Sequence, residues 1–204
     1  MIDEGYTKYQ CHWQRTSPLP TEVLTPLIHC RNRLYEVGLV GFYPEAGVGY
    51  GNLSMRAPGF EKFVISGTQT GHIPRTDAGH YALVTDYDIN ANQVSCSGPV
   101  QASSEALTHG AIYQLAPTIG AVVHVHSAQL WQAIKHQLPT TAATVPDCTP
   151  DMAREFLRLY NETDLPDTRV AVMAGHAEGI VAFGSDVQQA TERILALLNG
   201  PAGK

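Results

Sequence analysis

The sequence is short of the features that mark several protein classes. It has 4 cysteines, at Cys11, Cys30, Cys96 and Cys148, and no CxxC pair. That scatter excludes a disulfide scaffold and a cysteine-built zinc motif, and a reduced, cytoplasmic setting is the simplest expectation. Basic residues are few: 13 Lys and Arg against 19 Asp and Glu, a net charge of −6. A basic stripe is what nucleic acid and anionic membranes reward, so neither is expected as the main partner. No run reaches the ~18 apolar residues of a membrane span. The opening Met1-Ile2-Asp3-Glu4-Gly5 carries acid and no apolar core, so no secretory leader is predicted. Internal repeats, low-complexity tracts and long linkers are also missing.

What remains is an ordinary folding chain. Hydrophobic residues make up 44 % and charged residues 16 %, which excludes global disorder. At 204 residues the expectation is one domain spanning 1–204, burying roughly 70 % of the unfolded chain's surface. One residue type stands out: there are 9 histidines, the commonest metal ligand and the usual acid–base side chain near neutral pH.

The residue pattern predicts mixed elements. Tyr9, Cys11 and Trp13 alternate with Gln10, His12 and Gln14, a strand pattern that Ser17-Pro18-Leu19-Pro20 stops. A helix follows, with Thr25 as N-cap, Pro26 at its first position, an apolar stripe of Leu27, Cys30, Leu34 and Val37, and Gly38 at its end. Lys62 to Ile65 and Tyr81 to Thr85 read as short strands. Ser103-Ser104-Glu105 opens a helix that Pro117 stops, and Ile119 to Ser127 is a strand carrying two histidines. Thr149 to Tyr160 is helical. Val170–Met173 and Ile180–Phe183 form a hairpin around Gly175-His176-Ala177-Glu178-Gly179. The last helix is predicted to start with a capping box, Ser185-x-x-Gln188, and to end at Asn199-Gly200-Pro201. Strands and helices mix without strict alternation, which favours helices packed on a mostly antiparallel sheet.

His124-Val125-His126 is the sharpest local feature. On a strand, positions i and i+2 share a face about 6.6 Å apart, close enough for both rings to reach one ion. His176 lies between glycines at the hairpin tip. Glu105 sits at a helix start, where backbone N–H groups favour a carboxylate whether or not it does chemistry. His109, four residues on, either orients Glu105 or packs. Gly51-Asn52, Thr70-Gly71 and Ser103-Ser104 are small turn formers rich in N–H and O–H donors, the groups that cradle a phosphate without lysine or arginine. Gly47-x-Gly49-x-Gly51 has the wrong spacing for a dinucleotide fingerprint.

Taken in order, these pieces are far more specific than any one of them. Gly51-Asn52-Leu53-Ser54-Met55-Arg56 is followed by Ser66 to Gly71, then by Ser103-Ser104-Glu105 with His109 and Tyr113. Ala121 to Ser127 with its two histidines comes next, and Gly175-His176 last. The series resembles the class II aldolase/adducin superfamily, of the L-fuculose-phosphate aldolase type, from about Leu24 to Leu198. The resemblance implies a three-layer α/β/α sandwich with a mostly antiparallel central sheet. It implies a divalent metal, usually zinc, held by His124, His126 and His176. Glu105 would be the catalytic base and a metal ligand when substrate is absent. Gly51, Asn52, Thr70, Gly71, Ser103 and Ser104 would bind the substrate phosphate. The implied activity is that of a metal-dependent aldehyde-lyase in carbohydrate metabolism, acting on a small sugar phosphate through an enediolate. The implied assembly is a homotetramer with interfacial active sites. A sugar-phosphate 4-epimerase, a methylthioribulose-phosphate dehydratase and a non-catalytic adducin-like module are the alternatives.

The sequence departs from that pattern in three places. The turn reads Gly175-His176-Ala177-Glu178-Gly179, where many relatives place glycine directly after the ligand histidine, and Glu178 is new at the site mouth. The segment from Ser66 to Gly71 is long, so either Ser66-Gly67 or Thr70-Gly71 can take the phosphate role, with the second pair preferred. The tyrosine expected after the paired histidines as proton donor is missing from Lys135 to Asp151, leaving Tyr6, Tyr9, His72, His80 and Asp147 as candidates.

Overall fold

A computed structural model of the chain describes residues 9–56 and 62–200. The strands are β1 Gln10–Arg15, β2 Gly41–Tyr43, β3 Val48–Tyr50, β4 Asn52–Arg56, β5 Phe63–Ser66, β6 Tyr81–Asp88, β7 Gln93–Gly98, β8 Ala121–His126, β9 Val170–Val172 and β10 Gly179–Gly184. The helices are α1 Thr21–Glu36, α2 Ala106–Leu115, α3 Ala128–Ile134, α4 Pro150–Glu162, α5 Leu165–Thr168 and α6 Val187–Leu198.

Eight strands form one sheet in the order β1-β7-β6-β5-β4-β8-β10-β9, and β2 and β3 pair separately. Only β1 and β7 run parallel; every other pairing in the sheet is antiparallel. β8 has β4 on one side and β10 on the other, so its backbone groups are paired on both edges. Strand alternation then sorts its side chains. Val123 and Val125 join a core with Leu24, Leu27 and Leu34 of α1 and Val187, Ala190 and Ile194 of α6. Val122 joins the opposite core, with Leu107 and Ile112 of α2 and Met152, Phe156 and Leu159 of α4. The result is the expected three-layer α/β/α arrangement with a mostly antiparallel sheet. His124 and His126 have the parity of Val122, so they leave the sheet on the α2/α4 side.

Two helix starts differ from expectation. α1 begins at Thr21 with Pro20 as N-cap, so Pro26 lies inside the helix and not at its first position. The Thr25 hydroxyl donates to Thr21 O at 2.9 Å instead of capping. Burying Leu24 completely extends the apolar stripe back by a turn and offsets the hydrogen bond that Pro26 cannot make. α6 starts one residue later than predicted. Asp186 is its N-cap and accepts from Gln189 N at 2.8 Å, while Gln189 Oε1 accepts from Ser185 N at 3.2 Å. A carboxylate is a stronger acceptor than a hydroxyl at the positive end of a helix, and this start turns Val187, Ala190 and Ile194 inward. The predicted hairpin is present: β9 and β10 pair antiparallel, with Ile180 opposite Val172. Among the described residues no helix is long and apolar enough to cross a membrane.

Candidate metal centre

The site grows out of the sheet register. Gly179 of β10 stands opposite His126, and Asn52 of β4 stands opposite His124. His176 arrives from the β9–β10 turn, where Gly179 N donates to His176 O at 3.0 Å and Met173 N donates to Gly179 O at 2.9 Å. Gly179 is needed for this approach, because a Cβ there would meet His176 Cδ2 at 2.5 Å and His124 Cε1 at 3.2 Å.

Three imidazoles converge at this point. His126 Nε2 is 3.1 Å from His124 Nε2 and 3.0 Å from His176 Nε2. Two nitrogens bound to one tetrahedral ion at 2.0–2.1 Å lie about 3.3 Å apart, so the spacing fits a shared cation. All three rings are buried. Burial, followed by mutual repulsion of the charged forms, holds His124 and His126 well below the usual histidine range. Neutral rings with lone pairs aimed at one point are suited to bind a metal without first shedding protons.

Glu105 belongs to a second group with Asp147 and His176, whose possible ligand atoms all lie within 4.8 Å of one another. Asp147 Oδ1 is 3.7 Å from His176 Nδ1. Glu105 is the N-cap residue of α2, but its carboxylate makes no capping bond. It points into the cluster, where Cys148 Sγ donates to Glu105 Oε1 at 3.3 Å and lies 3.1 Å from Asp147 Oδ2. Burial raises the Glu105 carboxyl, and the nearby His176 lowers it in part. A carboxylate raised toward neutrality is what a general base requires.

His109 packs and does not orient Glu105. Its Nδ1 pairs with Ser54 Oγ at 2.6 Å, Ser54 Oγ is 2.8 Å from Tyr113 Oη, and burial pushes the ring down to about 3.

The expected donor residues surround the same cavity. Gly51, Asn52, Thr70, Gly71, Ser103 and Ser104 all line it, together with Glu105 and the three histidines. Asn52 is buried and its Oδ1 has no partner among the described residues. Thr70 Oγ1 donates to Gly67 O at 2.8 Å, and Ser103 Oγ accepts from Glu105 N at 3.3 Å. Ser66 Oγ is tied to Leu53 N and O in the sheet, while Gly67, Thr70 and Gly71 all line the cavity.

Of the candidate proton donors among the described residues, Asp147 alone joins the cluster. The Tyr9 hydroxyl donates to Ala102 O and Ser103 O, at 3.1 and 3.0 Å. His72 packs its ring edge on Phe42, and His80 closes a cap with Asp77. Tyr6 lies outside the described residues. Two neighbours of the cluster lie outside the motifs read from the sequence: Tyr43 and Cys148. The Tyr43 hydroxyl donates to Glu178 Oε2 at 2.7 Å and lies 3.2 Å from His126 Nδ1. Cys148 adopts φ 55° in the turn Pro146-Asp147-Cys148-Thr149-Pro150, whose flanking prolines are the one clue to an unusual backbone there.

Known structures share this architecture. L-fuculose-1-phosphate aldolase from Thermus thermophilus superposes with a TM-score of 0.58 at 18 % identity, covering 91 % of this chain and 99 % of that one. An aldolase II superfamily protein from Pseudomonas syringae gives 0.64 at 20 % identity, with 90 % and 75 % covered. A sugar-phosphate aldolase from Thermotoga maritima gives 0.61 at 17 % identity, with 87 % and 91 % covered. At these identities the likeness establishes the fold. The sequence itself matches the family described as class II aldolase and adducin N-terminal domain over residues 45–199, and the chain belongs to that family.

Proposed function

We propose that the protein is a divalent-metal-dependent aldehyde-lyase acting on a small sugar phosphate. The observation that carries this reading is the meeting of three imidazole Nε2 atoms beside a buried carboxylate, at the base of a cavity walled by turn amides and hydroxyls.

His124, His126 and His176 would hold the ion, zinc by the all-nitrogen donor set, with Glu105 able to close the shell when substrate is absent. Bound there, the ion supplies a Lewis acid that polarises a ketose carbonyl and steadies the negative charge developing on its oxygen. The protein's own groups do the rest. The strand pairings of β8 hold the ligand rings in place. Glu105 removes or returns a proton on the carbon beside the carbonyl, and its raised pKa suits that exchange near neutral pH. The Cys148 thiol donates to Glu105 and fixes its direction. Gly51, Asn52, Thr70, Gly71, Ser103 and Ser104 take the phosphate. Asp147 would take the proton from the hydroxyl that becomes the aldehyde carbonyl in cleavage and return it to that oxygen in condensation.

A second reading has one observation in its favour. Asp147 is a second buried carboxylate beside Glu105, and a pair of acid–base groups also suits 4-epimerisation of a sugar phosphate. Retention of the three histidines and Glu105 in one pocket speaks for catalysis over a non-catalytic module.

The test is metal analysis of protein purified without chelator, then proton exchange on dihydroxyacetone phosphate by wild type and Glu105→Gln. A stoichiometric metal is expected, together with a large loss of exchange in the variant, on the order of 100-fold or more for removal of a general base. Absence of metal, or equal exchange, overturns the reading. NMR of a sugar-phosphate panel separates epimer from cleaved aldehyde.

A further inference from the structure

α1 buries Leu24, Leu27, Cys30 and Leu34, and Arg31 lies in the same buried stripe, 1 % exposed. A guanidinium so deep is ordinarily matched by a carboxylate. Here it is not. Arg31 Nη2 donates to Thr70 O at 2.9 Å and Gly71 O at 3.2 Å, and Nη1 donates to Pro74 O at 3.3 Å and also to Ile73 O. Among the described residues no acidic side chain pairs with it. Arginine stays charged in proteins, so one positive charge is stored behind the 67–74 turn, answered by carbonyl dipoles and by the ring of Tyr35, whose centroid is 5.0 Å from Cζ.

The turn is the wall of the active cavity. In a planar trans peptide the carbonyl and the following N–H point in opposite directions. Drawing the Thr70 and Gly71 carbonyls onto Arg31 therefore turns the amides of Gly71 and His72 away from it. Gly71 N would lie 3.0 Å from a Cβ placed on Gly49, and Gly49 and Gly71 both line the cavity. Among the described residues the amides of Gln69, Thr70 and Gly71 donate to no protein acceptor. A side chain at position 71 does not fit the packing of this turn on the β2–β3 ribbon, since its Cβ would meet Gly41 O at 2.1 Å. Among the described residues no lysine or arginine lines the cavity.

We propose that Arg31 is a positioning residue for the anionic end of the substrate, holding the 67–74 turn from behind with its amides toward the cavity and supplying the positive charge that the wall lacks. This rests on the reading of the ligand as a sugar phosphate. It explains how a chain of net charge −6 receives a dianion with no basic side chain in contact. A buried charge acts through the low-dielectric turn with little screening.

The probe is inorganic phosphate, added to metal-loaded, full-length, ¹⁵N-labelled protein. In wild type, phosphate is expected to shift the Gly71 amide and the Arg31 Nε resonance with one shared binding constant. Arg31→Lys keeps the charge and is expected to bind within about threefold of wild type. Arg31→Gln keeps amide donors for the carbonyls but loses the charge, and is expected to bind roughly tenfold more weakly or worse, raising KM for a sugar phosphate with kcat nearly unchanged. A purely scaffolding arginine would leave the Gln variant equal to the Lys variant, and that result overturns the proposal. So does a wild-type titration that leaves Gly71 and Arg31 Nε unmoved, a measurement that decides the matter even if neither variant folds. Glu105-dependent exchange with an unmoved turn would sink the Arg31 role and spare the metal enzyme. Phosphate bound at the turn without any exchange would do the reverse.

Discussion

The Tyr43 hydroxyl donates to the Glu178 carboxylate at 2.7 Å and at the same time faces His126 Nδ1 at 3.2 Å. This contact joins the β2–β3 ribbon to the β9–β10 turn across the candidate ligand. If His126 uses Nε2 for the ion, its proton sits on Nδ1 and is donated to the tyrosine oxygen, whose own proton goes to Glu178. Such outer partners fix the tautomer and the ring direction of a ligand histidine. Glu178 holds φ 68°, an uncommon backbone for a non-glycine residue, in the turn that sets this arrangement.

Tyr43→Phe is therefore expected to weaken zinc or cobalt binding about tenfold, in line with the loss of an outer-shell partner. Glu178→Gln should weaken it less, because an amide oxygen still accepts from tyrosine. Competition against a chromophoric chelator measures both. Unchanged affinity in Tyr43→Phe would remove the relay from the account. The metal-free melting temperatures should match, since Tyr43 and Glu178 are only partly buried.

Metal removal should be visible in stability. An ion bound only by the folded state at about 1,000 times its dissociation constant adds about 4 kcal/mol. For a chain of this size that is a rise of roughly 8–16 °C in melting temperature. Chelation should abolish the rise, and His176→Ala should lack it from the outset. A wild-type melt indifferent to chelator would rule out a folding-linked ion.

How far the sequence foretells this site depends on whether a signal is local. His124 and His126 are legible because a strand puts i and i+2 on one face, whatever its neighbours. Glu105 is legible from its place in Ser103-Ser104-Glu105 among the ordered motifs. The start of α1 is not legible at Thr25 and Pro26, because local capping chemistry cannot register that Leu24 is fully buried. The α6 start is displaced by one residue for a related reason: Ser185 and Asp186 both qualify, and the inward stripe from Val187 decides. Tyr43 and Arg31 carry no sequence signal at all. Arg31 acts on Thr70, 39 positions away, and Tyr43 on Glu178, 135 positions away, and nothing in their own neighbourhoods marks them. Glu178 stands out in the sequence as a departure, but its role depends on Tyr43.

Acid should probe His109. Its pKa falls from an ordinary 6.5 to about 3 on burial, with Ser54 as its partner. Between those two values the unfolded chain binds a proton that the folded one refuses. Stability from this residue is then complete above the ordinary value and declines as the pH drops, by up to about 1.4 kcal/mol per pH unit, until the folded value is reached. Urea unfolding at several pH values should show wild type losing stability faster than His109→Gln over that window. The variant should be less stable near neutral pH and converge with wild type on acidification. Parallel pH curves would mean that His109 titrates normally in the fold.

Cys148 offers a finer test of Glu105. Its thiol donates to Glu105 Oε1 at 3.3 Å, and a donor to a carboxylate favours the ionised form. Cys148→Ala removes that donor from a carboxyl that burial already raises. The Glu105 pKa should then climb further, and the acid limb of the kcat/KM profile should move to higher pH. A hydrogen bond of about 0.5–1.5 kcal/mol corresponds to a displacement of roughly 0.4–1 pH unit. Cys148→Ser keeps a donor, with a shorter reach, and should fall between alanine and wild type. The direction is diagnostic: if the thiol merely filled space, both variants would lose rate at every pH and leave the limb where it stands. A limb displaced to lower pH would mean that the thiol disfavours the ionised carboxylate, and the hydrogen bond would have to be reassigned to Asp147, whose Oδ2 lies 3.1 Å from the same sulfur.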